Sequence, residues 1–105
     1  MKLLTKEIEK KIPALYSQED KGDDAEIFVK FFGGASWSWY ATEYDPETRT
    51  FFGLVDGHEM ELGYFSLDEL ESVKFPPFGL GVERDRYFGK GKTIGDIKRS
   101  KSLTC

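Results

Sequence analysis

Cysteine occurs once in this chain of 105 residues, at the last position, Cys105. A lone thiol closes no internal disulfide, which argues against a secreted disulfide scaffold and against a thiolate zinc site. Histidine is equally scarce. His58 is the single one, so any histidine-dependent acid–base or nucleophilic mechanism has to use it. The stretch His58-Glu59-Met60-Glu61 lacks the second histidine of the helical zinc motif. On a strand His58 would also point away from Glu59 and Glu61, so neither a metal nor another cofactor is expected. No apolar run approaches the roughly 20 residues needed to span a bilayer. Lys2, Lys6 and Glu7 interrupt what would be the apolar core of a signal peptide. The expectation is a cytoplasmic protein with no membrane contact.

What the chain has in quantity is aromatic surface and negative charge. Nine Phe, five Tyr and two Trp make up 15% of the residues, and large rings let a few side chains close a core in a short chain. This length suits one hydrophobic core and not two. The net charge of -4 is unevenly spread: residues 1–89 carry ten basic against eighteen acidic side chains, a net of -8, whereas residues 90–105 carry five against one, a net of +4. An acidic body repels nucleic-acid phosphates and attracts basic protein surfaces over long range. The expected organisation is a single domain over residues 1–92, followed by a basic C-terminal tail, 93–105, that contains a short helix.

Local patterns give an α+β fold. Thr5 caps an N-terminal helix with Ile8, Ile12 and Leu15 on one side, and Pro13 either ends it or sits at the first turn of a second short one around Ala14–Tyr16. Residues 17–24 are polar and loop-like. From Glu26 the period becomes two, with strands at 27–32, 37–44 and 50–55 separated by the turn Gly33-Gly34-Ala35-Ser36 and by Asp45-Pro46-Glu47-Thr48. Asp56-Gly57 predicts a two-residue type I′ hairpin, which would set Val55 opposite His58 and Phe52 opposite Glu61. The result is a four-stranded antiparallel meander. On that register Phe51, Val55, His58, Met60, Leu62 and Tyr64 share a core-like face, and Phe52, Leu54, Glu59, Glu61 and Phe65 share the other. Ser66 and Glu69 form a capping box for a short helix to about Ser72. The following Pro-rich stretch wraps the sheet with its rings as anchors, and Glu83–Phe88 is open to a short edge strand. Thr93 caps the last helix.

Two constellations suggest contact surfaces. Trp37 and Trp39 alternate onto one face of their strand, with Ala41 and Glu43. Glu59 and Glu61 lie on one face of theirs, roughly 7 Å apart, beside Phe52 and Phe65. The candidate protein-contact face is therefore Trp37, Trp39, Glu43, Phe52, Glu59, Glu61 and Phe65, with the two tryptophans equally open to a core role. Arg84 and Arg86 are candidate anion contacts, or partners of the acidic sheet. Gly89-Lys90-Gly91-Lys92-Thr93 superficially suggests a phosphate loop, but position 86 is Arg where that pattern needs its first glycine.

The opening Met1-Lys2-Leu3-Leu4-Thr5-Lys6-Glu7-Ile8, the block Trp37-Ser38-Trp39-Tyr40-Ala41-Thr42-Glu43-Tyr44-Asp45-Pro46, Phe51-Phe52-Gly53-Leu54-Val55, Glu61-Leu62-Gly63-Tyr64-Phe65-Ser66-Leu67 and Glu83-Arg84-Asp85 resemble the bacterial domain-of-unknown-function family 2958. The resemblance covers about residues 1–92. It implies a small stand-alone protein, often carried on plasmids, phages or other mobile elements, and it implies no activity, cofactor or catalytic residue.

Function is accordingly expected to be non-enzymatic: an interaction or inhibitor module that offers an acidic, aromatic-bearing sheet face to a basic protein surface. The alternative is a small-ligand binder or hydrolase using Glu43, Glu59, Glu61 and Arg84. A weaker alternative is nucleic-acid binding through the basic tail. An uncovered apolar face would also favour a homodimer.

Overall fold

A computed structural model describes residues 2–34 and 36–102. Cys105 and the centre of the expected Gly33–Ser36 turn, Ala35, lie outside the described residues.

The helices begin where side-chain oxygens meet orphan N–H groups. The Thr5 hydroxyl accepts from the Ile8 amide at 3.2 Å and opens α1, Lys6–Lys11. Ser66 accepts from the Glu69 amide at 3.3 Å and opens α2, Leu67–Ser72. Thr93 opens α3, Ile94–Ser102: its hydroxyl accepts from the Asp96 amide at 3.2 Å, and the Asp96 carboxylate accepts from the Thr93 amide at 2.9 Å. This is a reciprocal cap with Asp in the place of Glu. The Thr93 N–H, seconded by the Arg99 guanidinium, holds the Asp96 carboxyl below its usual range. The polar segment expected to be a loop contains a 3₁₀ segment, Glu19–Asp24, interrupted at Gly22.

The meander is present as β1, Val29–Gly33, β2, Trp37–Asp45, β3, Thr50–Asp56, and β4, Met60–Ser66. The sheet has five strands and not four, because β5, Glu83–Arg84, pairs with β1. The order is β4-β3-β2-β1-β5, every neighbour antiparallel. One edge is thus a two-residue strand and the other is the seven-residue β4.

Two registers differ from expectation, and both relocate the candidate residues. The β3–β4 hairpin pairs Asp56 with Met60 and Val55 with Glu61, leaving Gly57-His58-Glu59 as the turn. The type I′ turn fails because Gly57 does not adopt positive φ. Its lack of a Cβ serves another need: a Cβ there would lie 2.1 Å from Cζ3 of Trp37. An odd shift in pairing turns every β4 side chain to the other face. In β2 the pairing jumps from Ala41–Gly53 to Glu43–Phe52, so Thr42 is the extra residue of a β-bulge. Glu43 therefore faces away from Trp37 and Trp39.

Cross-strand partners share a face, which gives two layers of core. On one side the rows Phe31–Trp39–Val55–Glu61 and Tyr44–Phe51–Phe65 meet Leu3, Leu4, Ile12, Leu67, Leu70 and Val82. Phe75 anchors the Pro-rich strap by lying against Gly33 and Gly34, whereas Phe78 and Leu80 are exposed. On the other side Tyr40 and Leu54 meet Ala25, Ile27, Ile94 and Ile97.

Residues of the expected C-terminal tail take part in the second layer. Ile94 and Ile97 of α3 are core residues at 2% and 8% exposure. The Ile27 amide donates to the Lys92 carbonyl at 2.8 Å and the Ile94 amide to the Ala25 carbonyl at 3.1 Å. The charge segregation of the sequence also closes on itself. Lys98 pairs with Asp23 at 2.9 Å, Lys101 with Asp56 at 3.3 Å and Arg99 with Asp96 at 2.6 Å. Much of the basic segment therefore faces the chain's own carboxylates. No helix among the described residues is long and apolar enough to cross a membrane.

Candidate functional site

The expected contact residues divide between the two faces. Trp37 and Trp39 stack with centroids 5.8 Å apart, Trp39 buried and Trp37 half-buried, on the side of the larger core. Phe65 lies on that side too, half-buried and stacked on Phe51 at 5.2 Å. The hairpin turn brings His58 against Trp37, ring edge to face at 5.6 Å. His58, Glu59 and Glu61 then line a shallow depression of about 320 Å³ with Trp37 and Val55, so His58 does not point away from the two carboxylates as a strand residue would. Among the described residues no group of three His, Cys, Asp or Glu is placed to hold a metal ion.

Glu43 and Phe52 lie on the opposite face, in the row Glu43–Phe52–Tyr64. Glu43 is 3% exposed. Its two carboxylate oxygens accept from the amides of Tyr16 at 2.7 Å and Gln18 at 2.8 Å. Gln18, also buried, ties the same loop to the sheet: its amide donates to the Thr42 carbonyl at 2.7 Å and the Glu26 carbonyl at 3.0 Å, and its oxygen accepts from the Glu26 amide at 2.8 Å. Charge-assisted bonds to a carboxylate are among the stronger ones, so residues 16–18 are firmly seated on β2. The carboxylates assigned to hydrolysis consequently do not flank one cavity, since Glu43 and Glu61 occupy opposite faces of the sheet.

Arg84 and Arg86 both border one groove. The Arg84 guanidinium donates to the backbone carbonyls of Lys2 and of Leu3, the latter at 3.0 Å, and so ties down the N-terminal segment. Arg86 lines, together with Arg84, a groove of about 650 Å³ between α1 and residues 84–90, where Lys11 and Lys90 add further positive charge and Glu7, Glu26 and Asp85 oppose it.

A surface absent from the expected set emerges along β4. Leu62 is 45% and Tyr64 56% exposed, although the expected register assigns both to the core. Beside them stands Tyr16, 63% exposed, on the loop held by Glu43. Phe52 meets Tyr64 edge to face at 5.0 Å. The Tyr64 phenol is raised above its usual range, first by its hydrogen bond to Tyr16, then by burial and by the negative potential of Glu19 and Glu43.

The family model described as "Protein of unknown function (DUF2958)" matches residues 3–100. The chain belongs to this family. The DUF2958 match runs through most of α3, in keeping with Ile94 and Ile97 in the core, and it extends past the roughly 92 residues that carry the resemblance by motif. No curated protein and no solved structure matches the chain.

A signal for the missed surface is present in the sequence. Phe51-Phe52-Gly53-Leu54 and Leu62-Gly63-Tyr64-Phe65 mirror one another, and the adopted register pairs them ring to ring, Gly to Gly and Leu to Leu. Tyr16 carries no comparable sign, because its position depends on the long-range contact with Glu43.

Proposed function

We propose that this DUF2958 protein is a non-enzymatic interaction module that contacts a basic protein surface through the β4 edge and the adjoining Tyr16–Tyr64 face. The observation that carries the reading is the seven-residue edge strand β4, which ends the sheet with Leu62 and Tyr64 exposed and with Glu59 and Glu61 at one end. Edge strands are templates for pairing, and proteins usually blunt them with lysine, proline or a short length. β4 contains neither lysine nor proline and one charged residue, Glu61, whereas the opposite edge is cut to two residues. An added strand gains main-chain hydrogen bonds, and exposed rings supply the affinity. The carboxylates at 19, 20, 59 and 61 steer a cationic partner toward it. In the mobile-element setting that the resemblance implies, that partner is a nucleic-acid-handling or host-defence component.

Surface plasmon resonance on a basic protein that co-purifies with the tagged chain from its host tests this. The double variant Glu59→Lys/Glu61→Lys is expected to lower the association rate about tenfold at low salt, and Leu62→Ser/Tyr64→Ala to raise the dissociation rate. Rates that match the wild type in both variants, or binding indifferent to salt, would refute the reading.

A further inference from the structure

Resting on that reading and going one step beyond it, the pocket beneath Tyr16 and Tyr64 has a chemistry of its own. Its volume is about 160 Å³, below the roughly 300–1,000 Å³ of typical small-molecule sites and of a size for one side chain. Tyr16, Phe52, Leu62 and Tyr64 line it, and among the described residues Glu19 and Glu43 are its only charged lining groups. No described lysine, arginine or histidine lines it.

Glu43 makes this arrangement unusual. Buried carboxylates are normally matched by a cation. At 3% exposure Glu43 has two amide donors and, among the described residues, no ion pair within the chain. Each carboxylate oxygen accepts more than one hydrogen bond, so capacity remains after the Tyr16 and Gln18 amides are served. A second, independent sign is Tyr16 itself. Its backbone stands at φ 73° while its ring is 63% exposed. Left-handed backbone is unfavourable for a bulky residue and persists where surrounding contacts hold it, often at functional sites. Here the Glu43 and Gln18 bonds hold the segment, and Tyr16 lines the pocket with most of its surface exposed.

We propose that this pocket receives an arginine side chain of the basic partner. The guanidinium is planar, stacks on aromatic faces and donates to carboxylates from a fixed fork, so two tyrosine rings, a phenylalanine and Glu43 suit it better than a compact ammonium.

The test is a titration of the ¹⁵N-labelled chain with N-acetyl-arginine methylamide, followed by ¹H–¹⁵N NMR, with the lysine and the neutral citrulline counterparts in parallel. The expected result is saturable shifts centred on Tyr16, Gln18 and Tyr64, with a Kd on the order of 1–10 mM, as suits a single side chain. Lysine is expected to bind more weakly and citrulline not to saturate. Tyr64→Ala, on the exposed edge, and Glu43→Gln, which keeps the side chain's shape, are each expected to weaken arginine binding at least fivefold. Citrulline binding equal to arginine, tighter lysine binding, shifts centred elsewhere, or an unchanged Kd in Tyr64→Ala would overturn the assignment. The probe needs no macromolecule, so this failure is distinct from failure of the partner reading. A basic partner bound by a chain that ignores the arginine probe leaves the interaction surface standing and removes the pocket's role.

Discussion

Replacing Gly53 with alanine is expected to cost about 3 kcal/mol of folding free energy, the upper end for overpacking that forces backbone to move. Gly53 pairs with Ala41 next to the Thr42 bulge. A Cβ built on it falls 1.9 Å from the Tyr40 carbonyl oxygen, 2.9 Å from the Tyr40 carbonyl carbon and 3.0 Å from the Ala41 Cα. None of these atoms belongs to a side chain that can rotate away, so the backbones of β2 and β3 have to separate beside the bulge. The cross-strand partner provides the contrast. At Gly63 an added Cβ meets nothing within 4 Å, and Gly63→Ala is expected to stay within about 0.5 kcal/mol of the wild type. Urea denaturation of the two variants checks both statements.

Phe51→Ala is expected to be at least as damaging, by about 4 kcal/mol, with a fall in Tm of roughly 20 °C. Phe51 has no exposed surface, and its ring is surrounded by those of Tyr44 at 4.5 Å, Phe65 at 5.2 Å and Phe31 at 5.4 Å. Truncation loses the transfer energy of the ring and leaves a cavity that three rigid neighbours fill poorly. Small domains are stable by only about 5–15 kcal/mol in total, so either substitution removes a large share. Phe78 and Tyr87, at 83% and 91% exposure, supply the control. Their alanine variants are expected to melt within a few degrees of the wild type, as checked by calorimetry.

Those contrasts mark what a single sequence reveals about this fold. The helix starts were legible because each depends on a side chain and an amide three residues on: Thr5 with Ile8, Ser66 with Glu69, Thr93 with Asp96. The strand order of the meander followed from alternation and short turns. What escaped was long-range. Gly57 reads as a turn residue by its dihedral freedom, yet its role is to make room for Trp37, twenty positions earlier. The Thr42 bulge leaves alternation intact to the eye and still moves Glu43 from the tryptophan face to the other. Together these two displacements divided the expected contact set and hid Leu62 and Tyr64. The mirrored Phe-Phe-Gly-Leu and Leu-Gly-Tyr-Phe segments carried the correct register, but the turn signal pointed to another.

Charge followed the same logic. The acidic body and basic C-terminal segment were legible from composition, but the ion pairs of Lys98 with Asp23 and Lys101 with Asp56 depend on where α3 docks. Those two carboxylates are answered inside the chain, and the proposed function calls instead on the acids near β4 and in the Tyr16 pocket.

Amide hydrogen exchange, measured with and without a basic protein captured by the tagged chain from its host, tests the proposed interaction surface most directly. Protection concentrated on Met60–Ser66 and on residues 16–18, and reversed at high salt, is the predicted result. A footprint on the groove between α1 and residues 84–90, with β4 exchanging as in the free protein, would contradict it.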